Sequence, residues 1–141
     1  MLSRFKHVLV PVDFTEKNKA ALDIAFDIAV QNKSRVTLLH VIESLNFDDS
    51  DVRDFYTRLQ QRAETELESL SQRFIEAGVP IDWKLRLGKR AAEIISFSET
   101  GGVDLIVMHS HRIDPDRATS SIGTLSYQVS IFCACPVLLV K

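Results

Sequence analysis

Five short apolar runs rich in β-branched residues alternate with segments of helical periodicity, and that alternation restricts the class of fold open to this chain. His7 to Val12 (HVLVPV) reads as the first strand, bounded by Asp13 and Thr15. Thr15 is placed to N-cap a helix whose apolar positions, Ala21, Ile24, Ala25, Ile28 and Ala29, run on to Gln31. Arg35 to Ile42 is the second strand, and the polar, acidic stretch Glu43 to Ser50 is a loop. A long helix follows over Asp51 to Ala77, with Val52, Phe55, Tyr56, Leu59, Ala63, Leu67, Leu70 and Phe74 in one core-facing stripe. Gly78 and Pro80 end it. In the third strand, Ile81, Trp83, Leu85 and Leu87 alternate with polar residues, which suits a sheet edge. A short helix, Ala91 to Thr100, stops at Gly101-Gly102. Asp104 to Met108 is the fourth strand, Gly123 to Ala134 the last helix, and Val137 to Val140 the fifth strand.

Strands alternating with helices predict an α/β fold: a five-stranded parallel sheet with helices on both faces and right-handed crossovers. The 141 residues suffice for one full core, and with no internal repeat or linker, residues 1–141 read as a single domain. Ligands in such sheets bind outside the carboxyl ends of the strands, at the topological switch point. In the order 3-2-1-4-5, strands one and four flank that crevice, so Asp13 faces the loop after Met108. That loop, His109 to Thr124, leads into a helix N-terminus, where free N–H groups and the helix dipole favour phosphate. Phosphate loops are normally rich in glycine, and this one carries His109 and Arg112 ahead of a single Gly123.

These residues resemble those of the universal stress protein family over essentially the whole chain. The matching elements are Val10-Pro11-Val12-Asp13-Phe14-Thr15 at the first strand and His40-Val41 at the second. Gly88, Ala91 and Ile94-Ile95 follow after the third, then Asp104 to Met108, then Cys135 to Val140. The resemblance implies a Rossmann-like, adenine nucleotide alpha hydrolase-like fold in sheet order 3-2-1-4-5. ATP-binding members carry G-x2-G-x9-G-[ST] after strand four. Here His109 and Arg112 stand at the first two glycines, Gly123 and Thr124 match the end, and the loop is one residue longer. By resemblance, Asp13 and Val41 meet adenine and ribose, and Gly123-Thr124 the phosphates. Pro11, Val12, Thr15, Met108, His109, His111 and Arg112 complete the candidate site.

The altered loop acts in two directions. A side chain at 109 takes volume that phosphates need, and a non-glycine there resists positive φ. Arg112 and His111 supply charged donors in place of backbone N–H groups, and Thr119, Ser120, Ser121 and Thr124 add hydroxyls. The expected function is a non-catalytic regulatory domain of the stress response with weak or absent adenine-nucleotide (ATP or AMP) binding. The alternatives are an ATP/AMP sensor whose side-chain donors replace the glycines, or a weak ATP hydrolase of the same fold.

Other chemistry has less in the sequence to carry it. There is no Gly-x-Ser-x-Gly elbow, no Walker Gly-Lys-Ser/Thr and no full dinucleotide fingerprint. Asp13, His40 and Ser110 form a triad only on paper. Asp13 serves equally well as a turn cap. His109-x-His111 lacks an evident third metal ligand, and Cys133-Ala134-Cys135 is too closely spaced for an easy disulfide. A net charge of −2 gives no global drive toward nucleic acid or an anionic membrane, and no apolar run approaches the ~20 residues of a membrane span. The start, MLSRFKHVLVPVDF, breaks at Pro11 and Asp13, unlike a signal peptide, so the cytoplasm is the expected compartment. The apolar edge strand within Pro136 to Lys141 predicts a homodimer paired through it, acting on an unknown downstream protein.

Overall fold

The structure, a computed structural model, describes residues 4–44, 50–111, 116 and 124–141. Its elements are β1 (His7–Pro11), a 3-10 turn (Glu16–Asn18), α1 (Lys19–Asn32), β2 (Arg35–Glu43), α2 (Ser50–Glu76), β3 (Ile81–Gly88), α3 (Arg90–Thr100), β4 (Leu105–His109), α4 (Leu125–Phe132) and β5 (Val137–Val140). The strands form one parallel sheet in the order β3-β2-β1-β4-β5, as the sequence pattern predicts.

The central strand β1 is buried along its whole length. Successive side chains point to opposite faces, so β1 contributes to two cores. Val8 and Val10 join Ala21 and Ala25 of α1 and Leu67 and Phe74 of α2. Leu9 joins Ile94 and Phe97 of α3 and Val129 of α4. The Asp104 carboxylate fixes the amino end of the sheet by accepting from the backbone N–H groups of Lys6 (2.9 Å) and His7 (3.2 Å). The buried His7 ring lies between the Gly101 carbonyl (3.0 Å) and the Thr37 hydroxyl (2.8 Å), and Thr37 also meets Asp82. No buried side-chain nitrogen or oxygen is orphaned at this end of the sheet among the described residues.

Two helices differ from the sequence expectation. Thr15 caps no helix through its side chain: the chain first makes the 3-10 turn, and the Thr15 hydroxyl turns back to Asp13. In α2, burial begins only at Ala63; Phe55, predicted for the core, is 47% exposed. The cause is length. Twenty-seven helical residues span about 40 Å, whereas the nine-residue β2 spans about 30 Å, so the first turns of α2 have no sheet beneath them. The C-terminal half docks well. Phe74 is fully buried and meets Phe26 edge-on at 5.4 Å, with the Arg73 guanidinium over Phe26 and paired with Asp23. Trp83 of β3 is partly buried against the same core. At the other edge, β5 leaves Leu138 39% exposed, and Ile131 (59%) and Phe132 (68%) of α4 are exposed as well. No helix among the described residues is long and apolar enough to cross a membrane.

Phe74→Ala should destabilise the fold by about 3–5 kcal/mol in denaturant unfolding, the usual result of emptying a buried aromatic site. Ile75→Ala, one residue on and 56% exposed, should change stability by about 0.5 kcal/mol or less.

Candidate functional site

A pocket of about 300 Å³ opens at the carboxyl ends of the central strands. Pro11, Val12 and Asp13 line it from β1, and Leu39, His40 and Val41 from β2. Met108, His109 and His111 line it from β4 and the segment beyond. Thr124, Leu125 and Ser126 close it from the start of α4, and Arg90 and Ile94 from α3. Of the nucleotide-site residues named from the sequence, the described ones line one cavity, with the exception of Thr15. Arg112 and Gly123, with Thr119, Ser120 and Ser121, lie outside the described residues.

The β1 side is built by a tight local turn. Pro11 ends the strand, where its missing N–H donor costs no interior ladder bond, and Val12 N–H still reaches the Leu39 carbonyl at 2.9 Å. Phe14 then adopts φ +64°, a left-handed conformation rare for an aromatic residue. The conformation folds its ring onto His40, with centroids 4.2 Å apart. His40 Nδ1 donates to the Val12 carbonyl at 2.8 Å, so ring and backbone tie β1 to β2 at the pocket mouth. The Asp13 N–H donates to Asn18 Oδ1 (2.7 Å), while Asp13 Oδ1 accepts from the Thr15 N–H (3.0 Å) and hydroxyl (2.7 Å). Thr15 thus holds the carboxylate rather than lining the cavity. Asp13 serves the turn and faces the cavity at once.

On the other side, the Ser110 N–H donates to the Val140 carbonyl (2.8 Å), and the Ser110 hydroxyl meets Ser126 Oγ (3.0 Å). Thr124 caps α4, its hydroxyl accepting from the Tyr127 N–H. His109 and His111 stand edge to face, with centroids 5.3 Å apart. His109 Nε2 is shielded from solvent and has no hydrogen-bond partner among the described residues. Asp13, His40 and Ser110 are each bonded elsewhere and form no triad. No group of three or more His, Cys, Asp or Glu among the described residues is placed to hold a metal. Both cysteines are free and partly buried.

Burial by itself would raise the Asp13 carboxyl, but the two Thr15 hydrogen bonds, helped by Arg90 and His109, hold it below the usual carboxylate range. Burial pushes His40 below the usual imidazole range; Arg90 adds to this, and the Val12 carbonyl and Asp13 oppose it. His109 is lowered by burial first, then by His111 and Lys17, with Asp13 opposing. Sequence reasoning missed Arg90 and Asn18, and it named His40 only as a triad member on paper. Arg90 had a signal in the sequence: it stands two residues after Gly88, where strand three ends and its neighbour strands deliver the site.

Residues 4–141 match the Universal stress protein family. Universal stress protein YxiE of Bacillus subtilis is 27% identical over 97% of this chain and 99% of its own length. The structure of MJ0577 from Methanocaldococcus jannaschii superposes with a TM-score of 0.80 at 27% identity, covering 98% of this chain and 96% of that one. A universal stress protein from Archaeoglobus fulgidus, solved in complex with dAMP, shares the fold at a TM-score of 0.70 and 16% identity, with 98% and 99% covered.

Carboxyl-carbon NMR should find Asp13 titrating below an ordinary aspartate. Its ionised form is the one bonded by Thr15, so that turn holds above the unfolded carboxylate pKa and loosens as pH falls through the lowered folded value. Thr15→Val removes one donor and should move the Asp13 midpoint upward.

Proposed function

The chain belongs to the universal stress protein family, and from that premise we propose that it is a non-catalytic regulator of the stress response that holds an adenine nucleotide weakly at the carboxyl edge of its sheet. The observation that carries this reading is the convergence of Asp13, Val41, His109, His111 and Thr124 on one cavity at the switch point between β1 and β4. Asp13 and the Val41 backbone receive adenine and ribose. Pro11, Val12 and Met108 form the apolar wall. Thr124 and the α4 N-terminus face the phosphate. The dAMP complex of the Archaeoglobus fulgidus neighbour supports an adenine nucleotide as the ligand class. The cavity lies at the small end of ligand pockets, and His109 fills space where a glycine would leave room, so AMP suits it better than ATP. The absence of turnover is supported by Asp13, His40 and Ser110 each bonding outside a catalytic array. Two free thiols accord with a reducing, cytoplasmic setting.

Calorimetric titration of nucleotide-stripped protein tests this. AMP should bind weakly and more tightly than Mg-ATP, with no phosphate released from ATP; turnover would overturn the non-catalytic reading. Asp13→Ala should weaken AMP several-fold, in line with a lost hydrogen bond of about 0.5–1.5 kcal/mol. Asp13→Asn keeps an acceptor for Thr15 and so separates ligand contact from turn geometry. An unchanged affinity in both folded variants removes Asp13 from the site.

The proposed assembly is a homodimer through Pro136 to Lys141. The exposed Leu138, Ile131 and Phe132 support it, because an apolar edge strand flanked by an apolar helix face favours pairing with a second copy. Leu138→Lys should shift the protein from twice the chain mass toward monomer in light scattering at micromolar concentration. Leu139 packs into the α3–α4 core, so Leu139→Lys tests folding instead. A natural chain that scatters as a monomer refutes the dimer.

A further inference from the structure

His109 occupies the wall of the nucleotide pocket with a solvent-shielded Nε2 that no described residue satisfies. An unpaired buried ring nitrogen costs free energy, and native proteins seldom keep one without a use for it. The groups around it are mostly basic. Lys17 approaches from the 3-10 turn, His111 stands edge to face from the following segment, and His40 and Arg90 line the cavity from β2 and α3. Lys141, after β5, reaches the His111 carbonyl at 3.4 Å. From α4 the lining residues are Thr124, Leu125 and Ser126, none with a titratable side chain in this range. Asp13 is the one carboxylate on the cavity wall among the described residues. A cavity with this balance fits an anion, and imidazole is the side-chain type whose charge an adjacent anion most readily switches near neutral pH.

We propose that His109, with His111 beside it, recognises the phosphate of the bound nucleotide and takes up a proton from solvent as it does so, making phosphate-bearing nucleotides bind more tightly as pH falls. The inference rests on the nucleotide reading above and adds the group that contacts phosphate and the proton that accompanies it. Before a nucleotide binds, burial, His111 and Lys17 keep the His109 ring neutral to a pH below the usual imidazole range. A phosphate in contact with the ring reverses that balance, since an adjacent anion favours the charged form. The imidazolium N–H then donates a charge-assisted hydrogen bond, and Nε2 has its partner.

The test is calorimetric titration of the natural protein with AMP and with adenosine, between pH 6.5 and 8, in two buffers of different ionisation enthalpy. The phosphate of AMP titrates near pH 6, so above pH 6.5 most of the change lies in the protein. AMP should bind roughly three- to tenfold more tightly at pH 6.5 than at pH 8, with a buffer-dependent heat showing proton uptake; one proton can give at most about tenfold per pH unit. Adenosine should show neither effect. His109→Gly and His109→Gln should each bind AMP more weakly at pH 6.5 and lose the uptake. AMP binding without pH dependence or uptake overturns the inference and leaves the nucleotide reading intact. Uptake that survives both variants, or tighter AMP binding by His109→Gly, also overturns it. If neither AMP nor adenosine binds at any pH, the nucleotide reading itself fails and this inference falls with it.

Discussion

Burial of the adjacent interior strands β1 and β4 on both faces is the constraint from which the rest of this molecule follows. Val8, Leu9 and Val10 of β1 and Ile106 and Val107 of β4 have no solvent exposure. Their backbone groups must be paired along the ladders, and their side chains must be apolar on both faces. Polar chemistry can enter only where these strands end. At the amino end it is spent on structure: Asp104 pins the register, and His7 is closed off between Gly101, Thr37 and the edge strand. At the carboxyl end, the two strands diverge into different connections, and the polar groups face a cavity.

Much of this was legible in the sequence because it depends on periodicity. The apolar runs from His7 and Asp104 could only be buried strands, and the alternation of Ile81, Trp83, Leu85 and Leu87 matched a half-covered edge. The stripe on α2 was read correctly as helical and incorrectly as core over its first half. Periodicity reports which residues share a face, but not whether another element lies beneath that face. The 3-10 turn after Thr15 was missed for a local reason. Asp13 competes for the Thr15 hydroxyl, and nothing in helical spacing reveals that competition.

The candidate site was legible to the extent that it lies on strand ends. Asp13, Val41, Met108 and His109 are placed by the sheet, and the sheet order followed from the pattern. Arg90 and Asn18 come from α3 and the 3-10 turn, whose approach to the cavity a linear reading does not supply. The backbone conformation of Phe14 was also hidden. A positive φ at an aromatic residue is unfavourable alone and becomes tolerable through contacts remote in sequence, here the His40 ring. The site is therefore held by structure the glycine count of the following loop does not register.

Trp83 gives the fold a built-in optical reporter. It is the sole tryptophan of the chain, and it sits on the edge strand facing the core shared by α1 and α2, next to Leu38 in the ladder. Indole emission accordingly reads the seam between that edge and the helices covering it. Detachment of α2 would bring water to the ring and shift the emission to longer wavelength, while α3 and α4, on the opposite face of the sheet, could loosen with little change in colour. The two cores are spectroscopically distinct, and a fluorescence trace compared with circular dichroism would tell whether they melt together.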